Sequence, residues 1–119
     1  MDQRLVADLD RMRTAAINAI EFIGADEDTF VGDAKTQAAV AMCLVIIGEA
    51  AARVQATSPD FVASHPEWPW TEMRGMRNRA AHDYDTINFR SVWQTVKVSI
   101  PTLVALIDRS GVLGGTTSS

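Results

Sequence analysis

A short basic segment, residues 74–84, carries the side chains with the clearest chemical potential in this sequence. It contains three arginines, a histidine and a tyrosine, namely Arg74, Arg77, Arg79, His82 and Tyr84. A histidine, with an ordinary pKa of about 6.5, takes up and returns a proton at neutral pH. An arginine holds a phosphate and stabilises charge that develops on it, while a tyrosine stacks on a base or donates to phosphate. Together these groups suit RNA cleavage by attack of a ribose 2′-hydroxyl on its own phosphate, which needs no metal.

The spacing of Arg77 and His82 limits how they could act together. Five positions correspond to roughly 140° around an ideal α-helix, so the two side chains point in different directions. They converge on one ligand only if the helix ends or bends between them, or if a second copy of the chain supplies one group. An ordinary alternative stays open, because arginines beside a histidine also occur at solvated helix ends, where His82 would interact with the helix dipole.

Composition excludes several classes of protein. The 119 residues are 47% hydrophobic and 22% charged, which is typical of one packed domain. The single cysteine, Cys43, excludes a disulfide framework and a cysteine-rich metal site. The net charge of −4 excludes a surface that is basic overall, so contact with RNA depends on the local arginine cluster.

The chain is expected to form one domain over residues 1–110, followed by a flexible tail over 111–119 that is rich in glycine, serine and threonine. Its longest apolar run, 38–48, is shorter than the roughly 20 residues needed to span a bilayer. We therefore expect a cytoplasmic protein.

The pattern of apolar residues predicts an all-α fold, a small antiparallel bundle of four main helices and one short helix. Residues 5–23 carry apolar side chains three and four positions apart, and Asp33 is the predicted N-cap of a second helix that continues to Ala56. The acidic segment 26–28 between them is expected to form a loop. Because the second helix is apolar on all sides over 40–47, we expect it to be central or to contact a second subunit.

The second half of the chain is predicted to contain the remaining helices. Pro59 indicates the start of the short helix, and the third main helix is predicted over about 69–81. The last covers about 88–110 and is expected to kink at Pro101, which lacks a backbone donor. Gly111 is expected to end it.

Several segments, in order along the chain, carry a resemblance to a known family. Arg77, His82 and Tyr84 fit the R-x(4–6)-H-x-Y motif of the HEPN superfamily. The flanking segments are IIGEAAARV (46–54), WPWTEMRGMRNRAAHDY (68–84), SVWQTV (91–96) and IPTLVALI (100–107). This order resembles the HepT-like ribonuclease toxins, and the resemblance extends from Leu5 to Asp108.

The resemblance implies an all-helical protein that forms a homodimer in which two copies of the motif face a shared cleft. It implies a metal-independent endoribonuclease, without a cofactor, that is the toxin of a toxin–antitoxin pair. The partner would be a minimal nucleotidyltransferase antitoxin that transfers AMP to the motif tyrosine, and neither DNA nor a membrane is an expected partner. By this resemblance Arg77 binds and polarises the scissile phosphate, His82 transfers a proton, and Tyr84 positions RNA and accepts AMP.

Two other functions stay open beside the nuclease. The chain could be a HEPN binding module that serves as acceptor for the nucleotidyltransferase without catalysis, or a purely structural helical bundle. The intact Arg77, His82 and Tyr84 favour the enzyme over the structural protein. They do not separate the enzyme from the acceptor, because an acceptor also needs Tyr84.

Further residues near the motif are expected to support it. Asn78 would orient His82 or the backbone at the helix end, while Arg74 and Arg79 would attract phosphate. The three tryptophans are expected to pack in the core rather than to stack on bases. No pattern in the sequence indicates which RNA base is recognised.

Glu49, on the second helix, has two candidate partners. It could pair with Arg77 or Asn78 and so brace the site. It could instead pair with Arg53, four positions along the same helix, which would be an ordinary structural ion pair.

Overall fold

The computed structural model describes residues 2–114, and all regular structure in this range is helical. We label the α-helices α1 to α7 in chain order: Gln3–Ile23, Glu27–Val31, Ala34–Thr57, Pro59–Ser64, Trp70–His82, Phe89–Gln94 and Ile100–Ser110. A 3₁₀ turn, Tyr84–Thr86, follows α5, and a π-helical turn, Thr95–Ser99, joins α6 to α7. The predicted all-α fold is confirmed, and its four main helices correspond to α1, α3, α5 and the α6–α7 pair.

Helix α3 is the centre of the bundle, because it packs against both α1 and α5. Its middle residues Val40, Leu44 and Ile47 are buried, which confirms the predicted central position. The predicted apolar stripe of α1 is also buried, at Leu5, Leu9, Met12, Ala16, Ala19 and Ile23. Among residues 2–114, α3 alone is long and apolar enough to cross a membrane. Half of its most apolar 18-residue stretch is buried inside the bundle, as in a core helix.

Two aspartates cap the starts of α2 and α3. Asp33 accepts hydrogen bonds from the backbone and the hydroxyl of Thr36, and these bonds lower the pKa of its carboxyl group. Asp26 makes the same contacts with Thr29, at 2.8 and 2.7 Å, and its pKa is lowered for the same reason. The predicted loop over 26–28 is therefore wrong. This cap begins a short helix whose acidic first turn also interacts favourably with the helix dipole.

Helix α5 lies directly on α3 at Gly48. A side-chain carbon at this position would overlap the Cβ atom of Arg77 and would lie 2.7 Å from the backbone carbonyl oxygen of Met73. Only a residue without a Cβ atom fits between the two helices here. The glycine therefore determines how closely the motif helix approaches the centre of the bundle.

Two buried tryptophans anchor the start of α5. The rings of Trp68 and Trp70 stack with their centroids 5.4 Å apart, and the indole N–H of Trp70 donates to the carbonyl of His65 at 3.0 Å. Trp93 is half-buried and packs 6.1 Å from the ring of Phe30. The predicted packing role of the tryptophans is confirmed.

The last predicted helix is interrupted near Pro101. Proline has no N–H to donate to the carbonyl oxygen of Lys97, and the turn before it widens into the π-helical segment. There the N–H of Ile100 bonds to the carbonyl oxygen of Thr95, five residues earlier. Gly111 ends α7 with φ of 76°, as the sequence predicts.

The structure describes the first four residues of the predicted tail. Val112 and Leu113 are half-buried and pack against the core. Residues 115–119 lie outside the described residues. The flexible tail, and with it the domain boundary after residue 110, stays a prediction.

Candidate functional site

Arg77 is held in place by two neighbours. Its Nε–H donates to a carboxylate oxygen of Glu49 at 2.9 Å, and its Nη1 donates to the amide oxygen of Asn78 at 3.0 Å. Both the Arg77 and the Glu49 side chains remain partly exposed. Within residues 2–114 no side chain accepts from Nη2, so that edge of the guanidinium is available to a phosphate oxygen.

The contact of Glu49 decides between its two predicted partners. Arg53, the alternative, turns toward α1 and donates to the buried carboxylate of Asp8 at 2.9 Å. Glu49 is therefore free to face α5, where Arg77 lies because of the close approach at Gly48. Glu49 therefore pairs with Arg77, which is the pairing that was predicted to brace the site.

His82 is the last residue of α5 and is exposed to solvent. No side chain in the described part of the chain forms a hydrogen bond with its imidazole. The amide oxygen of Asn78, which was expected to orient either His82 or the helix end, is bonded to Arg77 instead. The imidazole is thus accessible at the helix end.

The structure does not bring Arg77 and His82 together within one chain. Helix α5 is continuous from Trp70 to His82, without a break between the two residues. They therefore remain roughly 140° apart around the helix. The structure thus contains no break in α5 that would turn the two side chains toward each other.

Tyr84 begins the 3₁₀ turn directly after α5. The residue is 37% exposed, and its ring packs edge-on against Phe89, with the centroids 5.8 Å apart. Phe89 in turn contacts the buried Phe30 of α2, at 5.9 Å, so the aromatic contacts tie the turn to the core. The Tyr84 hydroxyl has no hydrogen-bond partner among the described residues, and the residue as a whole is exposed.

Two arginines of α5 carry positive charge that no acidic side chain of the described residues compensates. Arg74 and Arg79 are exposed, and neither forms an ion pair with any described residue. By contrast, Arg13 pairs with Asp108 at 2.7 Å, and that hydrogen bond raises the pKa of the arginine. Arg90 likewise pairs with the acidic first turn of α2. Arg74 and Arg79 are thus two exposed guanidinium groups on α5 without an acidic partner among the described residues.

A groove beside the motif was not visible in the sequence. It has a volume of 390 Å³ and lies between α3, α5, α6 and the 3₁₀ turn. Its polar lining includes Arg79, in the last turn of α5, and Asp83, which follows the end of this helix four positions later. That spacing was the one local signal, because residues four apart share a helix face. The opposite walls come from residues as far apart as Ala41 and Thr95, for which the sequence carries no signal.

Other reactive groups lie outside this region. Cys43 is buried on α3, and burial raises the pKa of its thiol, which disfavours the reactive thiolate. Within residues 2–114 no three or more histidine, cysteine, aspartate or glutamate side chains are grouped as metal ligands. The chemistry of the described chain is therefore concentrated at the end of α5 and in the turn that follows.

The helical bundle, with arginine, histidine and tyrosine at the end of one helix, has the features of a HEPN protein. A family model described as "Ribonuclease HepT-like" matches residues 12–110. This match covers most of the chain, and the chain belongs to that family.

Known proteins with similar sequences carry ribonuclease names. The chain is 45% identical over 76 residues to a "Probable ribonuclease HepT" of Thermococcus cleftensis, an alignment that covers 64% of this chain and 66% of the relative. It is 38% identical over 74 residues to a candidate RNase of Methanocaldococcus jannaschii, and this alignment covers 62% of the chain and 59% of the relative. A candidate RNase of Caldanaerobacter subterraneus is 36% identical over 80 residues, which cover 67% of the chain and 69% of that relative. No solved structure matches the chain significantly.

Proposed function

We propose that this chain is the toxin of a toxin–antitoxin pair and acts in the cytoplasm as a metal-independent endoribonuclease. The observation that carries the proposal is the guanidinium of Arg77, held at the surface by Glu49 and Asn78 on the helix that ends in His82. Membership of the HepT-like family and the names of the relatives support the same activity.

The proposed reaction is a transesterification within the RNA. The 2′-hydroxyl oxygen of a ribose bonds to the adjacent phosphorus, and the bond from phosphorus to the 5′-oxygen of the next nucleotide breaks. A base takes the proton of the 2′-hydroxyl, and an acid protonates the leaving oxygen, which yields a 2′,3′-cyclic phosphate and a 5′-hydroxyl end. His82, which is exposed, transfers a proton in this step, and Arg77 binds the phosphate and stabilises its added charge.

A homodimer would complete the proposed site. Arg77 and His82 diverge on one unbroken helix, and in the proposed dimer a two-fold related subunit brings His82 of the partner subunit toward Arg77. Helix α3 offers an apolar surface for this contact: Ala38 and Met42 are exposed, the latter by 57%, and lie on the same helix face as Glu49. Light scattering at micromolar concentration is expected to give the mass of a dimer, and a monomer would contradict the proposal.

Tyr84 is the proposed site of silencing by a minimal nucleotidyltransferase antitoxin. Its hydroxyl oxygen would attack the α-phosphorus of ATP, so that AMP is attached to the tyrosine and diphosphate is released. The exposed ring and the unbonded hydroxyl support this role. AMP adds bulk and negative charge beside the phosphate-binding arginines, which would repel RNA.

The first experiment is an RNA cleavage assay in EDTA with purified wild type, after intact mass has shown that Tyr84 is unmodified. We expect cleavage with cyclic-phosphate ends, and a loss of about 100-fold or more in His82→Ala and Arg77→Ala. Arg11→Ala is the control, because Arg11 is an exposed arginine on α1 that forms no ion pair with a described residue. An unmodified, dimeric wild type that cleaves no RNA would contradict the nuclease and favour the acceptor module.

A further inference from the structure

The groove next to the motif has the size and position of a ligand site. Its 390 Å³ lie within the roughly 300–1,000 Å³ of typical small-molecule sites. It adjoins the proposed catalytic residues, because Asp83, which lines it, lies in the chain between His82 and Tyr84. A nucleotide next to the scissile phosphate would therefore be within reach of this groove.

The walls of the groove suit a flat, mostly apolar ring. Helices α3 and α5 contribute Leu44, Met76 and Ala80, and the residue after the 3₁₀ turn and helix α6 contribute Ile87 and Val92. Ligand sites of this kind combine apolar walls with a few polar groups that determine orientation. A nucleobase has this character, since its faces are apolar and its polar groups lie at its edge.

Two oppositely charged residues that line the groove have no ion-pair partner among the described residues. Arg79 and Asp83 both line the groove; Arg79 lies in the last turn of α5, and Asp83 is the residue that follows the end of this helix. They form no ion pair with each other or with another described residue, although the structure contains six other contacts between acidic and basic side chains. The lining of the groove thus includes one residue whose carboxylate only accepts and one whose guanidinium only donates. In this structure Nη1 of Arg79 lies beside Gly75, so the arginine has to turn toward Asp83 to contact the same base.

This pair of charges matches one base better than the others. Guanine presents two adjacent donors, N1–H and the N2 amino group, which fill both oxygens of a carboxylate. It also presents the acceptors O6 and N7, which arginine recognises with two hydrogen bonds. Adenine and cytosine offer a carboxylate one amino group beside a ring acceptor, and uracil offers one imino group between two carbonyls.

We propose that the groove binds a guanine base of the RNA substrate, with Asp83 accepting from N1 and N2 and Arg79 donating to O6 or N7. The proposal rests on the function proposed above and adds a base preference to it. It makes Asp83 and Arg79 specificity-determining residues, and it assigns them no part in the chemical step.

The test measures binding to RNA that cannot be cleaved. The probes are fluorescein-labelled oligouridines with 2′-O-methyl riboses and one central G, A, C or U, and the readout is fluorescence anisotropy. Wild type is expected to bind the G probe about tenfold more tightly than the other three. Asp83→Asn and Arg79→Gln are expected to reduce this preference to less than about threefold.

Asp85→Asn is the matched control. It removes the same charge from the same turn, but Asp85 does not line the groove, so the preference for G is expected to persist. Three results would overturn the proposal. Wild type could bind the four probes equally or bind none of them, or Asp83→Asn and Asp85→Asn could lose the preference for the G probe to the same extent. Thermal melting of each variant shows whether it is folded.

Cleavage of unmodified RNA separates the two proposals. If wild type cleaves RNA but shows no preference for G in either assay, the base-binding proposal fails and the nuclease stands. If wild type binds the G probe selectively through Asp83 but cleaves no RNA, guanine binding in the groove is supported and the ribonuclease activity is contradicted.

Discussion

Gly48 of α3 lies in direct contact with Arg77 of α5, so that a side-chain carbon on the glycine would overlap the arginine Cβ atom. The same approach places Glu49, the next residue of α3, 2.9 Å from Nε of Arg77. Two adjacent residues therefore divide the work: the glycine lets the helices meet, and the glutamate holds the guanidinium. The position of the proposed phosphate-binding group depends on the packing of these two helices.

Gly48→Ala is expected to destabilise the protein and to reduce RNA cleavage. The added methyl group meets the backbone carbonyl of Met73, which can move only if α5 moves with it. Overpacking of this kind costs about 1–3 kcal/mol in free energy of unfolding, measurable by urea denaturation. Gly75→Ala is the control, because its Cβ atom would meet only the flexible Nη1 end of Arg79, at 3.4 Å. That variant is expected to be equally stable or more stable by up to about 1 kcal/mol, and equal stability of the two variants would contradict the argument.

Glu49→Ala is expected to lower the rate of RNA cleavage by about 10- to 100-fold, because Arg77 loses the group that orients it. Glu49 is a positioning residue, so Glu49→Gln, which keeps an oxygen acceptor, should restore most of the activity. The free energy of unfolding should change by less than about 1 kcal/mol, since the ion pair is partly exposed. Glu72→Ala is the control, because Glu72 is an exposed glutamate on α5 that forms no ion pair with a described residue. A Glu49→Gln variant as inactive as Glu49→Ala would argue against this role.

A mixture of Arg77→Ala and His82→Ala chains is expected to regain activity that neither variant has alone. If each site takes Arg77 from one subunit and His82 from the other, a mixed dimer contains one intact site. Random mixing of the two chains gives about a quarter of wild-type cleavage. The variants are unfolded together, refolded and assayed against each variant treated alone. A mixture no more active than its components would show that both groups act from one chain.

Tyr84→Phe is expected to cleave RNA but to resist silencing. The phenyl ring keeps the edge-on contact with Phe89, while the oxygen that would accept AMP is removed. Wild type and variant are incubated with ATP and a minimal nucleotidyltransferase, and intact mass and cleavage are measured together. An AMP-sized mass increase on Tyr84→Phe would place the modification on another residue.

Acid is expected to weaken the start of α3 through Asp33. Its hydrogen bonds to Thr36 lower its pKa in the folded protein, so it contributes stability above its ordinary pKa of about 3.9. That contribution is lost as the pH falls through the lower folded value. Asp33→Asn, which still caps the helix, should therefore lose less thermal stability than wild type when the pH falls from 5 to 2.5. Thermal melting followed by circular dichroism measures this loss. Asp10→Asn removes an exposed carboxylate that caps no helix, and an identical pH response in both variants would contradict this assignment.

Local features of the fold are readable in the sequence because the interactions that produce them span only a few residues. Helices α3 and α5 begin and end within one residue of the prediction, since apolar spacing and the Asp33 cap act locally. Helix α2 is missed although Asp26 and Thr29 signal it, because a five-residue helix is too short to show periodicity. The kink at Pro101 is predicted, but its form as a π-helical turn also depends on how α6 and α7 pack.

The sequence by itself determined the all-α fold and the three motif residues. Only the tertiary structure decided that Glu49 pairs with Arg77 rather than Arg53, since both partners lie within reach of a helix-borne carboxylate. It also decided that α5 runs unbroken from Arg77 to His82 and that a groove opens beside Asp83. The physical reason is distance along the chain. Contacts between residues 28 or more positions apart depend on how whole helices pack, and no short pattern encodes that packing.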